Sequence, residues 1–536
     1  MSAVRLERKQ VVIGLILAAC TMAAVIGTVH DVGVTWDEPL YMKAARGYMS
    51  WLGLLKQGMW QRDLREPFSD TLIVRWWMQH PTLELHPPLG KFLSGLTWAA
   101  LRGVLGDITA QRVSNALLFS FLVALVFWMV AGAYGTASGV FAALSLVLMP
   151  RMFFHAHLAN IDTTVAITWF LAMYLFWKYE SGRGWRPILL TGAAFGLALG
   201  TKLNAIVMPL VWGIWWLLFD RNWRTLGRLI VMSAIGVGVF TAIWPWLYHD
   251  TVNRLLYYFF MASRFKDRPQ FYLGQTPPHV PWHYPFVITL AVVPLVITVM
   301  YLLGVIQVLR KRSDRTGWLL FLNALVPLLI AATPFQAVYS GERHFIPAYP
   351  YLACLAGIGF GSLLNLLSAG WHRFYKITDP RTMRWLFGCI LALFLLPPLF
   401  SIADIHPYEL SYYSELVGGL PGATRLGLET TFWCETYRDA LPYLNQNAEP
   451  WASVWAENPF VLRLYQRYNL LREDLQIMGG DVVSPFTADY VVIQMHQTGF
   501  YHVPELVDML HNHAPVYMLD YHGIPLLYVY ELRQER

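Results

Sequence analysis

The sequence predicts a polytopic α-helical membrane fold with a small α/β domain at its C-terminal end, and three observations carry that expectation. The 536 residues are 56% hydrophobic and only 14% charged, with mean hydropathy +0.41. A soluble domain carries about 25% charged residues, so this composition matches a chain that keeps much of its surface in lipid. Apolar runs near the roughly 17–25 residues that cross a bilayer as a helix recur along the chain. Beyond the last of them the sequence turns mixed and polar.

Eleven runs qualify: 11–29, 112–131, 138–150, 162–178, 187–202, 204–219, 229–246, 285–309, 317–333, 345–367 and 385–402. Run 138–150 is short, and 187–202 almost abuts 204–219. The first run follows Arg5, Arg8 and Lys9 and lacks a small-residue cleavage site, so it reads as an anchor and not a cleaved signal. Cationic short loops mark the inner side of a membrane. With the N-terminus inside, the inside loops hold 17 of the 40 lysines and arginines against five acids. They carry +12 and the rest of the chain −6, so the overall +6 is a topology signal and not a nucleic-acid footprint. An odd number of spans places residues 403–536 outside. Strand-like Tyr490–Ile493 and Leu526–Tyr530 flank a helical stretch from Val503 to His511, which suggests an extracytoplasmic α/β domain. Residues 1–402 form the membrane module, with a long first external loop at 30–111. Of four cysteines only Cys434 lies outside the runs, so no disulfide framework is implied.

The outer boundary collects ionisable residues from separate segments. Asp37 and Glu38 follow the first run, and Glu38-Pro39 also suits an ordinary helix start behind an Asp37 cap. His86-Pro87-Pro88-Leu89-Gly90-Lys91 is a stiff bend before an apolar stretch, 92–105, that suits an interfacial helix. Arg112 opens the second run. His155 and His157, with Asp162 nearby, could bind a metal, but a third ligand is not evident from spacing, and a hydrogen-bonded cap explains the residues as well. Lys202 sits in a tight hairpin on the side where the positive-inside rule expects few lysines, although snorkelling would also place it there. Arg343 adjoins Glu342, with which it could form a simple salt bridge. Taken singly, each has a structural explanation. Their convergence at one interface suits a base and an anionic lipid headgroup.

The chain resembles the polyprenyl-phosphate-sugar-dependent glycosyltransferases of the GT-C fold, nearest to the protein O-mannosyltransferase-like family and the lipid A aminoarabinose transferases. The resemblance rests on Asp37-Glu38, His86-Pro87-Pro88-Leu89-Gly90-Lys91, the Arg112 helix start, Gly200-Thr201-Lys202, and Arg343-His344 with Pro347. It spans roughly residues 10–350. The tail, with His406-Pro407-Tyr408-Glu409, resembles tails of bacterial members and not the MIR β-trefoil of eukaryotic protein mannosyltransferases. The resemblance implies a multi-pass protein of the bacterial inner membrane that moves a sugar from a polyprenyl-phosphate donor to a hydroxyl of a protein, lipid or glycan. It implies Asp37 as general base, with Glu38 beside it positioning the acceptor or the helix start. Lys202, Arg343 and Arg112 would hold the donor phosphate, and His86, Lys91, His155, His157 and Asp162 would contact substrate. Cations can stabilise the leaving phosphate unaided, so no cofactor and no essential metal are expected. A single displacement predicts inversion. The alternative is a transporter or flippase of a lipid-linked or anionic solute. Transporters bind near the midplane, often between repeated halves; here the ionisable residues avoid the midplane and no repeat is visible.

Overall fold

The computed structural model describes residues 6–78, 86–179, 184–264, 268–334, 336, 338–375, 379–480 and 483–532. Arg5, Arg183 and Lys376 of the inside loops, and the acid Glu180, lie outside these.

All eleven apolar runs are helical, but not all are long. Arg8–Thr28, Asp107–Tyr134, Trp223–Ala242, Ile346–Gly370 and Trp385–Ile405 are long and apolar enough to cross a membrane. The pair Thr136–Val147 and Pro150–Ala156 makes a sixth span if its 71° bend is counted within one. Four shorter apolar helices are Trp185–Leu199, Leu203–Phe219, Leu295–Arg310 and Arg315–Ala331. At about 1.5 Å per residue, a 16-residue helix reaches about 24 Å, short of a hydrocarbon core of about 30 Å. Length and composition therefore support five or six spans, where the sequence reading expected eleven. The run 285–309 is divided at Pro294 into Tyr284–Val292 and Leu295–Arg310. Proline lacks the N–H and clashes with the preceding turn.

The outermost helices turn large apolar side chains outward, as lipid requires. Leu15 and Ile16 on the first, Ile230 and Val237 on Trp223–Ala242, and Leu393 and Phe400 near the end are all exposed. Glycine sets the closest packing inside. A methyl group at Gly304 would lie 1.9 Å from the Leu355 carbonyl oxygen, so only glycine lets these two helices approach so closely.

The long segment 30–111, where described, is largely helical. Glu38–Gln61, Asp70–Trp77 and Leu89–Leu105 pack an aromatic cluster in which Tyr48 stacks on Trp77 at 4.4 Å. The helix from Leu89 covers the interfacial stretch the sequence suggested.

The C-terminal domain holds a five-stranded sheet. In chain order the strands are β1 (Ser453–Ala456), β2 (Gln476–Gly479), β3 (Tyr490–Gln494), β4 (Tyr517–Tyr521) and β5 (Ile524–Glu531). Their order across the sheet is β2-β1-β3-β5-β4. β1 pairs parallel with β2 and β3, and β5 pairs antiparallel with β3 and β4. β3 is buried along its whole length, which explains why Tyr490-Val491-Val492-Ile493 reads as an unbroken apolar run.

This domain clamps the loop before Asp37. Trp36 N–H donates to the Trp433 carbonyl at 2.8 Å, and Asn458 Nδ2 donates to the Trp36 carbonyl at 3.1 Å. A methyl at Gly33 would lie 1.9 Å from the Glu435 carbonyl oxygen, so a side chain there would force the two apart.

Candidate active site

Four segments meet at one end of the helical bundle. Asp37 immediately precedes the helix Glu38–Gln61 and makes no side-chain capping bond to it, Asp162 begins Asp162–Tyr179, Lys202 follows Trp185–Leu199, and Arg343 lies in the turn before Tyr349–Tyr375. Arg343 Nη2 donates to Asp37 Oδ2 at 2.8 Å, and its Nε lies 3.8 Å from Asp162 Oδ2. Lys202 Nζ donates to Asp162 Oδ1 at 2.5 Å and to the Arg343 carbonyl at 3.3 Å. The result is an alternating row, Asp37–Arg343–Asp162–Lys202. The Asp37 side chain is 30% exposed, whereas those of Arg343, Asp162 and Lys202 are 8% or less. Asp37 is therefore the acid of this row that a partner from solution can reach. A narrow cavity beside it is lined by Asp37, Glu38, Asn160, Asp162, Arg343 and Trp433, among others. Arg343 stacks over the rings of Trp433 and Tyr339 at 5.4 and 5.7 Å, which fixes the plane of its guanidinium.

Glu38 and Arg112 take a different role from the one expected. Arg112 forms a bidentate pair with Glu38, Nε to Oε1 at 2.8 Å and Nη2 to Oε2 at 2.7 Å. Glu38 also accepts from the backbone N–H of Ala159 and of Thr35, both at 2.9 Å, and from the Thr35 hydroxyl at 3.2 Å. Arg112 donates further to the carbonyls of Val29, Val32 and Gly33. Both side chains are buried with their hydrogen-bonding capacity filled. The Arg112 guanidinium, expected on the donor phosphate, thus has all five of its N–H groups committed to residues 29–38, the segment that leads into Asp37 and Glu38. Glu38 has no lone pair left for a further donor, so of the two adjacent acids only Asp37 keeps an exposed side chain.

Arg343 does not pair with Glu342, the simple salt bridge the sequence allowed. Glu342 instead accepts from Arg151 Nη1 at 2.7 Å and lies 3.6 Å from His155 Nε2. Burial pushes the Glu342 carboxyl up, but Arg151 and His155 override this and hold it near about 2. Arg151 also donates from Nε to the Tyr412 carbonyl and stacks over Tyr413 and Phe432. The site thus has a recurring plan. Asp37 and Arg343 both line the cavity, and each adjoins a buried glutamate tied to a buried arginine. Arg151 was missed in the sequence, although an arginine just past an outer helix bend breaks the positive-inside pattern as Lys202 does. Trp433 was missed because nothing near it in sequence marks it as a neighbour of Asp37.

The remaining expected residues divide. His86 adjoins the row; burial and then the charges of Lys202, Arg343 and Lys91 hold it well below the ordinary histidine range. Lys91 does not snorkel. It is buried, with Nζ donating to the His86 carbonyl at 2.8 Å and lying about 6 Å from the Tyr41 and Tyr48 rings. His155 faces Asn160, at 3.1 Å from its Nδ1, and the Trp433 ring. His157 is turned away, with Nε2 at 2.8 Å from the Thr28 hydroxyl and Nδ1 at 2.8 Å from the Phe153 carbonyl. His155 and His157 therefore do not converge with Asp162 on one point. Among the described residues, no three His, Cys, Asp or Glu side chains are grouped so that they could hold a metal ion.

Residues 85–249 match the family model described as dolichyl-phosphate-mannose-protein mannosyltransferase. The fold is similar to that of ArnT from Cupriavidus metallidurans bound to undecaprenyl phosphate, at TM-score 0.51 and 15% identity over 97% of both chains. The same protein in the apo state gives TM-score 0.52 at 15% identity, again over 97% of both chains. It is also similar to the apo oligosaccharyltransferase of Archaeoglobus fulgidus, at TM-score 0.51 and 11% identity over 91% of this chain and 70% of that one. No curated protein sequence is matched. The chain has the fold of these GT-C proteins, which is the fold the sequence resembled.

Proposed function

We propose that this protein is a membrane glycosyltransferase that moves a sugar from a polyprenyl-phosphate donor to an acceptor hydroxyl at the outer face of the membrane. The observation that carries the reading is the row Asp37–Arg343–Asp162–Lys202, a reachable carboxylate 2.8 Å from a cation at one end of the helical bundle. The donor's tail stays in lipid, so its headgroup arrives at this boundary. Asp37 takes the proton of the acceptor hydroxyl. The acceptor oxygen bonds to the anomeric carbon while the bond from that carbon to the phosphate oxygen breaks, through an oxocarbenium-like transition state. The bonding pair leaves with the phosphate. Arg343 and Lys202 stabilise that charge as it develops, and Asp162 holds the two cations apart and oriented. His86, close to both cations, contacts the leaving phosphate or the sugar, with Lys91 fixing its backbone. His155 packs edge-on against Trp433, which lines the pocket. One displacement inverts the anomeric centre.

Purified protein incubated with a panel of polyprenyl-phosphate sugars tests the reading. Consumption of at least one donor, enhanced by an acceptor, is expected. No consumption of any donor would count against it. Lys202→Ala and Arg343→Ala are each expected to raise the donor KM by about 10-fold or more, since a charge-assisted hydrogen bond contributes about 1.5–3 kcal/mol. Unchanged donor affinity and turnover in both variants would remove the phosphate assignment. Two fixed cations supply the charge stabilisation, and His155 and His157 are committed to other partners. Dialysis against a strong chelator is therefore expected to leave most activity intact. Full loss, restored by one divalent ion, would reverse that expectation.

A further inference from the structure

Arg343 is presented by a turn and not by a helix or strand, so the aim of its guanidinium depends on what holds the turn. The turn has an unusual backbone. Ser340 and Gly341 are both left-handed, with φ of 55° and 76°, a conformation uncommon outside glycine. Arg151 holds the Glu342 side chain, and Lys202 donates to the Arg343 carbonyl. A further tether acts at Ser340 itself, whose backbone N–H donates to Gln270 Oε1 at 2.5 Å, across 70 positions of sequence.

Gln270 is buried and uses both ends of its amide. Its Nε2 donates to Glu429 Oε2 at 2.7 Å and to the Thr498 hydroxyl at 3.3 Å. Thr498 donates to Glu429 in turn, from its N–H to Oε1 at 3.0 Å and from its hydroxyl to Oε2 at 2.5 Å. Glu429 and Thr498 belong to the C-terminal domain, and the segment around Gln270 lies along it. Phe271 N–H donates to the Thr498 hydroxyl at 2.8 Å, Tyr272 bridges to Leu428, and Gly274 N–H donates to the Gly427 carbonyl at 3.0 Å. A methyl on Gly427 would lie 2.1 Å from the Gly274 nitrogen, so the two backbones run in direct contact. The amide of Gln270 can satisfy its neighbours in one orientation, oxygen to the Ser340 N–H and nitrogen to the Glu429 carboxylate. One side chain thus joins the C-terminal domain to the turn that carries Arg343. The Arg343 guanidinium is not saturated: its buried Nε has no hydrogen-bond partner among the described residues, so a shift of the turn alters what this group can reach.

We propose that Gln270 is a positioning residue for glycosyl transfer, fixing the Ser340–Arg343 turn against the C-terminal domain and so setting the aim of Arg343 at the leaving phosphate. The role rests on the transfer reaction proposed above. It gives the C-terminal domain a part in that reaction, as the support against which a cation of the site is set.

Gln270→Glu keeps the size of the side chain and an oxygen for Ser340, but sets a second carboxylate against Glu429. It is expected to lower kcat/KM for the donor by about 10- to 100-fold, the scale of a small misplacement in a site, with the acceptor KM unchanged. Adding Glu429→Gln restores the pair with donor and acceptor exchanged: the new amide nitrogen meets the carboxylate introduced at position 270, and its oxygen keeps the Thr498 N–H. The double variant is expected to recover most of the lost rate. In an Arg343→Ala background Gln270→Glu is expected to add no further loss, because the group it aims is gone, whereas a merely structural contact would add its full effect. Hydrogen exchange across the Ser340–Arg343 turn, read without substrate, is expected to rise in Gln270→Glu and to return in the double variant. If Gln270→Glu does not fold, Glu429→Gln alone creates the same mismatch and takes its place. Wild-type donor kinetics in the folded single variant, no recovery in the double variant, or an equal loss in the Arg343→Ala background would overturn the role and leave the reaction standing. A wild-type protein that consumes no donor would overturn the reaction, and this role with it, whatever the exchange pattern.

Discussion

Asp37→Asn is expected to lower turnover by about 10²–10⁴-fold, the usual contribution of a general base, while the donor KM stays within a few-fold of wild type. The substitution keeps the shape of the side chain and one oxygen for Arg343, but it removes the group that accepts the proton. The reason to choose Asp37 over Glu38 is accessibility. Glu38 accepts five hydrogen bonds and is buried, whereas the Asp37 side chain keeps 30% of its surface open. Initial rates at saturating donor and acceptor, on protein shown to be folded by its elution profile, provide the check. Near-normal turnover in Asp37→Asn with a dead, folded Glu38→Gln would transfer the role to Glu38. Near-normal turnover in both would remove the pair from the chemistry.

Arg112→Met is expected to destabilise the protein by about 3–5 kcal/mol, because taking one partner from a buried pair leaves the other charge uncompensated. The loss falls on the fold: Arg112 holds Glu38 and the carbonyls of Val29, Val32 and Gly33 together. Adding Glu38→Gln to Arg112→Met removes the stranded charge and is expected to recover part of the stability. Thermal unfolding in detergent reads the first effect, and the donor KM of the protein that remains folded separates it from phosphate binding. A fully stable Arg112→Met protein with a raised donor KM would return Arg112 to the phosphate.

Hydropathy and loop charge made the membrane module legible, because lipid exposure writes itself into composition over long windows. Span count was less legible. Hydropathy marks an apolar run as helical but does not measure whether a 15–17-residue helix such as Trp185–Leu199 or Arg315–Ala331 reaches across. Asp37, Asp162, Lys202 and Arg343 were each visible as ionisable residues at an outer boundary, and they do converge. Their pairing was not visible. Arg343 adjoins Glu342 in sequence yet reaches Asp37, 306 positions away, while Glu342 takes Arg151, 191 positions away. A carboxylate and a guanidinium look alike in sequence whether buried as a staple or open to substrate. Burial and hydrogen-bond saturation separate Glu38 from Asp37, and hydrogen-bond saturation alone separates Arg112 from the equally buried Arg343, whose Nε has no hydrogen-bond partner among the described residues. Trp433 was illegible for another reason: it arrives from the C-terminal domain, 396 positions after Asp37, on a loop with no local signature.

The most direct test of the central reading uses vesicles that contain the purified protein and a sugar-labelled polyprenyl-phosphate donor, with a hydroxyl acceptor outside. Glycosyl transfer predicts loss of the labelled lipid, equimolar appearance of unglycosylated polyprenyl phosphate, and label bound to acceptor with inverted anomeric configuration, all abolished by Asp37→Asn. Labelled lipid that crosses between leaflets chemically intact, with no polyprenyl phosphate released, would contradict the account and identify the protein as a flippase.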